Sequence, residues 1–229
     1  MSHRLGIALI AKGSMNSLHR PDVVEALREK GIDPVFIVRE DYRHLIQPIP
    51  GSRYVDCHFT SPSPRQRFLR NLFCYIRSLY PSGDVYGRSW FGIANAARPK
   101  LRQRLSHRFF NRLARYRGVL RLLLSVEGRL YRSNLVEGLD SAGLDQLLLL
   151  GIGTHGAEHE LVLTWWARHK GIPVVHMIAD YDHLTIKGFG GVPVERLLVW
   201  GPVMRDDAVR LHAVPAEKIR VIGSVRYDN

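Results

Sequence analysis

Short apolar runs and helix-period stripes alternate along this chain. Arg4 to Ala11 (RLGIALIA), Asp33 to Arg39 (DPVFIVR), Leu144 to Leu150 (LDQLLLL), Ile172 to Ile178 (IPVVHMI), Arg196 to Trp200 (RLLVW) and Lys218 to Ile222 (KIRVI) are near-continuous apolar segments. Runs of that length and composition read as parallel strands buried on both faces. Arg53 to Phe59 is a further strand. Helices fall between them. One starts near Ser17–Pro21, with Pro21 in its first turn, and carries Val23, Val24, Ala26 and Leu27 to Gly31; others span Ala157–Lys170 and about Pro202–Ala213. Strand–helix alternation predicts an α/β fold: a Rossmann-like, doubly wound parallel sheet forming one domain over residues 1–229.

The middle of the chain breaks that rhythm. After the turn Ser61-Pro62-Ser63-Pro64, one helical stripe holds Phe68, Leu72, Ile76 and Tyr80. A Gly-rich stretch over 81–97 takes no assignment. A second stripe holds Leu101, Leu105, Phe109, Leu113, Tyr116 and Leu120, interleaved with Arg102, Arg104, Arg108, Arg112, Arg115 and Arg117, and Gly118 can divide it into two helices. The region of about 61–136 is therefore expected to be an Arg-rich helical insertion.

Charge makes this region more than an oddity. The net charge is +12, yet residues 61–132 hold 16 Lys/Arg against only Asp84 and Glu127, while the remainder carries 17 basic and 19 acidic residues. A surface of that kind attracts phosphates on lipids, nucleotides or nucleic acids. Three uses are open: a solvated face over helices packed on the sheet, a basic surface resting on anionic headgroups through Arg104, Arg108, Arg112 and Arg115, or nucleic-acid binding. The last is the weakest, because no recognised nucleic-acid motif accompanies the charge. No run approaches a membrane span and no secretory signal opens the chain. Cys57 and Cys74, with no CxxC, fit reduced thiols in the cytoplasm, free or peripheral on the inner face of the membrane.

In open parallel sheets, ligands bind beyond the carboxyl ends of strands. The loop after Ile172–Ile178 places Asp180, Asp182, His183, Thr185 and Lys187 there. The first βα loop offers Gly13 and Ser14, with His19 at the helix entrance as a base or phosphate contact. The loop after Leu144–Leu150 reads Gly151-Ile152-Gly153-Thr154-His155-Gly156, which fits the dinucleotide fingerprint G-x-G-x-x-G after a strand and before a helix, with Asp180 beyond the next strand. That opens an NAD(P)-binding reading. His155 to His159 also fits the inverted zinc-protease pattern H-x-x-E-H, but no third ligand is indicated and no metal site is expected.

Three segments in order carry a family resemblance: DYDHLTIKG at 180–188, RLLVWG at 196–201 and VPAEKIRVIGSVRYD at 214–228. They resemble the end of the N-terminal domain of GT-B glycosyltransferases of surface-carbohydrate biosynthesis, where WDNLTSKG-like patterns recur. Tyr181 stands for the usual Trp and His183 for Asn. The resemblance is specific over about 173–228, looser over 4–39, and absent from the Arg-rich middle. It implies the acceptor-side half of a sugar transferase acting on an envelope glycan or lipid-linked acceptor, with a nucleotide-sugar donor as substrate and no metal or other cofactor. For such a reaction the candidate bases in these strand-end loops are Asp180 or Asp182, with His19 third, and Lys187, His155, Thr185, Gly13 and Ser14 are the candidate substrate contacts. The donor-binding half expected after Asn229 would be a C-terminal domain or a separate subunit. An alternative of another class is a non-catalytic acceptor-binding or membrane-recruiting subunit of a split enzyme, and a sugar-nucleotide epimerase of the same fold is a third.

Overall fold

The computed structural model describes residues 3–10, 17–69, 72, 109, 112–113, 116–131, 136–151, 158–180, 184, 194–212 and 214–224. These build an α/β fold on an eight-stranded, mostly parallel sheet flanked by helices. The strands are β1 (His3–Leu9), β2 (Ile32–Arg39), β3 (Arg53–Phe59), β4 (Val136–Glu137), β5 (Gln146–Leu150), β6 (Val174–Met177), β7 (Arg196–Val199) and β8 (Ile219–Val221). The helices are α1 (Pro21–Glu29), α2 (Arg117–Leu130), α3 (Glu158–His169) and α4 (Pro202–His212), with 3-10 turns at Glu40–Leu45 and Ala216–Lys218.

Each predicted strand and helix in the first 60 and the last 90 residues falls within a few residues of its expected place. Pro21 opens α1, where its missing N–H costs nothing. Gly171 ends α3 at a φ of 72°, a left-handed turn that a Cβ would oppose, and Ile172 N–H donates 2.8 Å to the Ala167 carbonyl. That closure delivers the chain directly into β6. The short β4 is new: it pairs antiparallel with the end of β3, Phe59 opposite Val136. Two residues have no hydrophobic periodicity to betray them.

Strand order is β4-β3-β2-β1-β5-β6-β7-β8. From β1 the chain winds outward to β3, then returns to β5 beside β1 and winds the other way. The order therefore reverses between β1 and β5, whose register runs from Leu5 opposite Gln146 to Ala8 opposite Leu149. In open α/β sheets such a reversal is where helices on opposite faces diverge and ligands bind, outside the carboxyl ends of the strands.

Alternation divides the core accordingly. Leu5, Ile7, Leu9, Phe36, Val38, Leu148 and Leu150 point to one face with Val24 of α1. Ala8, Ile37, Leu147 and Leu149 point to the other, with Leu161, Leu163 and Trp165 of α3 and Ala208 of α4. α2 closes on the second face, where Gly128 meets the Trp165 ring. Residues 64–69, 72, 109, 112–113 and α2 are helical parts of the Arg-rich segment, and the rest of that segment lies outside the described residues. Tyr116 is extended and α2 starts at Arg117, so Gly118 lies inside the helix and does not divide it. No helix among the described residues is long and apolar enough to cross a membrane.

Candidate functional site

The carboxyl edge near the reversal is built by the ends of β2, β3 and β5 and the first turn of α3. Arg39 is the last residue of β2. Its guanidinium grips Asp41 with two nitrogens and lies 3.9 Å over the Tyr42 ring. The pairing holds the Asp41 carboxyl below the usual carboxylate range. A third nitrogen of Arg39 donates 3.2 Å to Nδ1 of His159. Arginine can only donate, so Nδ1 accepts and a neutral His159 carries its proton on Nε2. Phe59, ending β3, meets the His159 ring edge-on at 4.6 Å.

Glu160 follows in the same helical turn and is 6% exposed. Its Oε1 lies 3.8 Å from where a Cβ on Gly151 would stand. Gly151 ends β5 at a φ of 111°, which favours glycine, and the absent side chain leaves the carboxyl against open backbone. Burial pushes the Glu160 carboxyl up to about 7; its own backbone N–H and the Arg39 charge pull the other way and lose. Arg39 is itself paired with Asp41. A carboxyl taken from water without its own counter-ion keeps its proton.

One turn further on, Thr164 Oγ1 donates 2.7 Å to the Glu160 carbonyl and lies 3.0 Å from Nε2 of His176 on β6. Its proton is spent on the carbonyl, so it accepts from the histidine. Nδ1 of His176 has no partner, and burial lowers this imidazole to about 4. His176 is thus a neutral core histidine. Cys57, pushed up to about 12 by burial, is likewise an unreactive core thiol.

Of the catalytic candidates singled out in the sequence, Asp180 and His19 fall within the described residues. Asp180 is half-buried just past the end of β6, on the same edge. His19 lies on the α1 side of the sheet. Its Nε2 is 2.8 Å from the Tyr54 hydroxyl, its ring packs edge-on to Phe36 at 5.0 Å, and burial lowers its pKa. Tyr54 Oη accepts from the Ile49 N–H at 2.8 Å, so its own proton is directed at His19. That histidine is engaged in packing the β2–β3 side. Gly13, Ser14, His155, Asp182, Thr185, Lys187, Arg104, Arg108 and Arg115 lie outside the described residues, whereas Arg112 is described and exposed. Within the loop after β6, Leu184 is fully buried and its carbonyl accepts 2.7 Å from His212 Nε2 of α4. Leu184 is therefore pinned to the core.

The inverted zinc-protease pattern gains no support from His159, whose Nδ1 is taken by Arg39. Among the described residues no group of three or more His, Cys, Asp or Glu could hold a metal ion. Sequence reasoning missed Glu160 and the Arg39–Asp41 clamp. The signal for Glu160 was present: it begins the run Glu160-Leu161-Val162-Leu163-Thr164-Trp165, every residue of which is buried. An acid heading an apolar helix after a glycine-rich loop is a candidate on those grounds alone. No protein-family model matches this chain, and no curated protein matches it.

Proposed function

We propose that this chain is the acceptor-side half of a GT-B-type glycosyltransferase, moving a sugar from a nucleotide-sugar donor to an envelope glycan or lipid-linked acceptor. The observation that carries the reading is the juxtaposition at the carboxyl edge: Asp180 just past β6, Glu160 beside the end of β5, and the strand reversal between β1 and β5. The segments that carry the resemblance support it by their order in the fold. RLLV is β7, the Glu217–Lys218 turn is a 3-10 helix, and β8 runs on toward Gly223 at a φ of 81°. Positioned carboxylates take the acceptor proton, and helix N-termini favour the departing diphosphate. Asp180, Asp182 and His19 are the candidate bases read from the sequence, and Lys187 and His155 the candidate oxygen contacts.

The test is sugar transfer, or donor hydrolysis, from a panel of nucleotide sugars, using the chain together with a donor-binding half. Single Ala substitutions at Asp180 and Asp182 are expected to lower turnover about 10²-fold or more if either is the base. His19→Ala is expected to change stability more than turnover, because its ring nitrogen is spent on Tyr54. No transfer or hydrolysis from any donor defeats the reading. A second reading, an NAD(P)-binding protein, is favoured by Gly151 at the end of β5 leading through the glycine string into α3. Binding of NAD(H) or NADP(H) by calorimetry decides for it.

The basic segment supports a membrane-surface role for this half. Phe68, Phe109, Tyr116 and Leu122 are 56–66% exposed within it, beside exposed Arg112. Exposed apolar and cationic residues together suit an anionic interface. Arg112→Glu with Arg115→Glu is expected to reduce flotation with anionic liposomes at low salt, while neutral liposomes recover little of either protein. Equal flotation of both variants with anionic liposomes removes this role.

A further inference from the structure

We infer that Glu160 is a proton acceptor for a ligand hydroxyl bound in the crevice between β1 and β5. Three features of its surroundings converge on that role. It sits in the first turn of α3, directly after the loop that leaves β5. Its Oε1 flanks Gly151, which presents backbone and no side chain, so nothing at that position stands between the carboxyl and the strand end. It is 6% exposed, and among the described residues no ion pair reaches it. A buried acid without a counter-ion is costly to the fold. Apolar residues would serve packing better at this position, as they do at Leu161 and Leu163.

The charged groups around it are arranged to leave it poised. The Arg39 charge reaches Glu160, while Asp41 holds two nitrogens of that guanidinium and His159 takes the third. His159 belongs to the same helical turn, and Cys57 on β3 is an un-ionised thiol near Arg39 and Asp41. His176, from β6, is neutral and points to Thr164. Unclamped, Arg39 would draw Glu160 toward the ordinary carboxylate range. Clamped, it leaves the carboxyl near 7, where a general base both accepts and releases a proton in neutral solution.

The bond formed rests on the sugar-transfer reading; the proton acceptor rests on Glu160 itself. In the step, the acceptor O–H bond breaks and its proton passes to the Glu160 carboxylate. The oxygen's electron pair forms a bond to the anomeric carbon of the nucleotide sugar. The bond from that carbon to the diphosphate oxygen breaks, and its electrons leave with the nucleoside diphosphate.

The experiment has three arms. Carbon-13 NMR of protein labelled at the glutamate side-chain carboxyl, with the Glu160 signal assigned by its loss in Glu160→Gln, is expected to titrate with a midpoint near 7. Asp41→Asn, which frees Arg39, is expected to lower that midpoint. A midpoint at about 4.5 in the wild type overturns the inference. Next, dicyclohexylcarbodiimide, which attacks protonated carboxyls in apolar sites, is expected to modify Glu160 at about pH 6 and progressively less above about pH 8. No adduct at Glu160 at the lower pH overturns its access to the crevice. Finally, where a nucleotide sugar is turned over, Glu160→Gln is expected to lower kcat/KM roughly 10²–10⁴-fold and abolish the acid limb near pH 7, with partial recovery in Glu160→Asp. Undiminished turnover in Glu160→Gln overturns the inference and leaves sugar transfer standing. A midpoint near 7 with the carbodiimide adduct, but no transfer from any nucleotide sugar, supports the proton acceptor and removes sugar transfer.

Discussion

Glu160→Gln is expected to gain stability over the wild type as the pH rises, by about 3 kcal/mol between pH 4.5 and pH 7.5. In that window the unfolded chain releases the Glu160 proton near pH 4.5, while the folded chain holds it until about 7. The native state binds more protons than the unfolded state, so this group lowers wild-type stability with rising pH. Glutamine keeps the shape and has no proton to lose. His176 works in the opposite sense. Its imidazole charges near 6.5 when unfolded but only near 4 when folded, so its contribution is complete above 6.5 and lost as the pH falls to 4. Relative to wild type, His176→Asn is therefore expected to lose about 3 kcal/mol between pH 4 and pH 7, over and above any constant packing cost. The two slopes nearly cancel in the wild type. Urea unfolding of the three proteins across this range separates them, and parallel curves for Glu160→Gln and wild type would show that the acid is not buried as described.

The second large effect is steric. A Cβ at Gly128 would fall 2.6 Å from Cζ3 and 2.9 Å from Cη2 of Trp165, a ring that is 7% exposed. Alanine is the better helix former by about 1 kcal/mol, but overpacking a buried ring costs about 1–3 kcal/mol. The clash is expected to win, leaving Gly128→Ala net destabilised by up to about 2 kcal/mol. Gly118 lies in the same helix with nothing within 4 Å of such an atom. Gly118→Ala should therefore stabilise, by up to about 1 kcal/mol. Combining Gly128→Ala with Trp165→Leu is expected to recover part of the loss, a coupling of about 0.5–3 kcal/mol measured by the double-mutant cycle. Additive losses would place the two helices apart.

These two sites mark where a linear reading stops. The strands around Ile7, Ile37, Leu149 and Val175 are legible because a strand buried on both faces needs an apolar run, whatever lies beside it. The turn after α3 is legible because glycine at position 171 takes the positive φ that other residues resist. Asp180 is legible because it follows such a strand. Glu160 shows only as an acid heading an apolar run and Arg39 not at all, because their chemistry depends on partners far away in the chain. Arg39 lies at the end of β2 and His159 in α3, 120 residues on, and only the pairing of β1 with both β2 and β5 brings their elements side by side. His19 shows the other side of this limit. A histidine at a helix entrance is a plausible base in sequence, and Tyr54, 35 residues later, occupies its ring nitrogen.

What the sequence by itself determined is the α/β class, the order of strands and helices, the helical start at Pro21 and the concentration of positive charge in 61–132. Those follow from local rules: the period of apolar residues, the fixed φ of proline and a count of charges. The tertiary structure decided the strand order with its reversal beside β1, the antiparallel β4, the contact of Gly128 with Trp165 and the ionisation of the carboxyl edge. Side chains become acidic or basic to a degree set by burial and by neighbours from other strands. At Glu160 both are supplied by folding: burial against the end of β5, and an arginine whose charge Asp41 has already claimed.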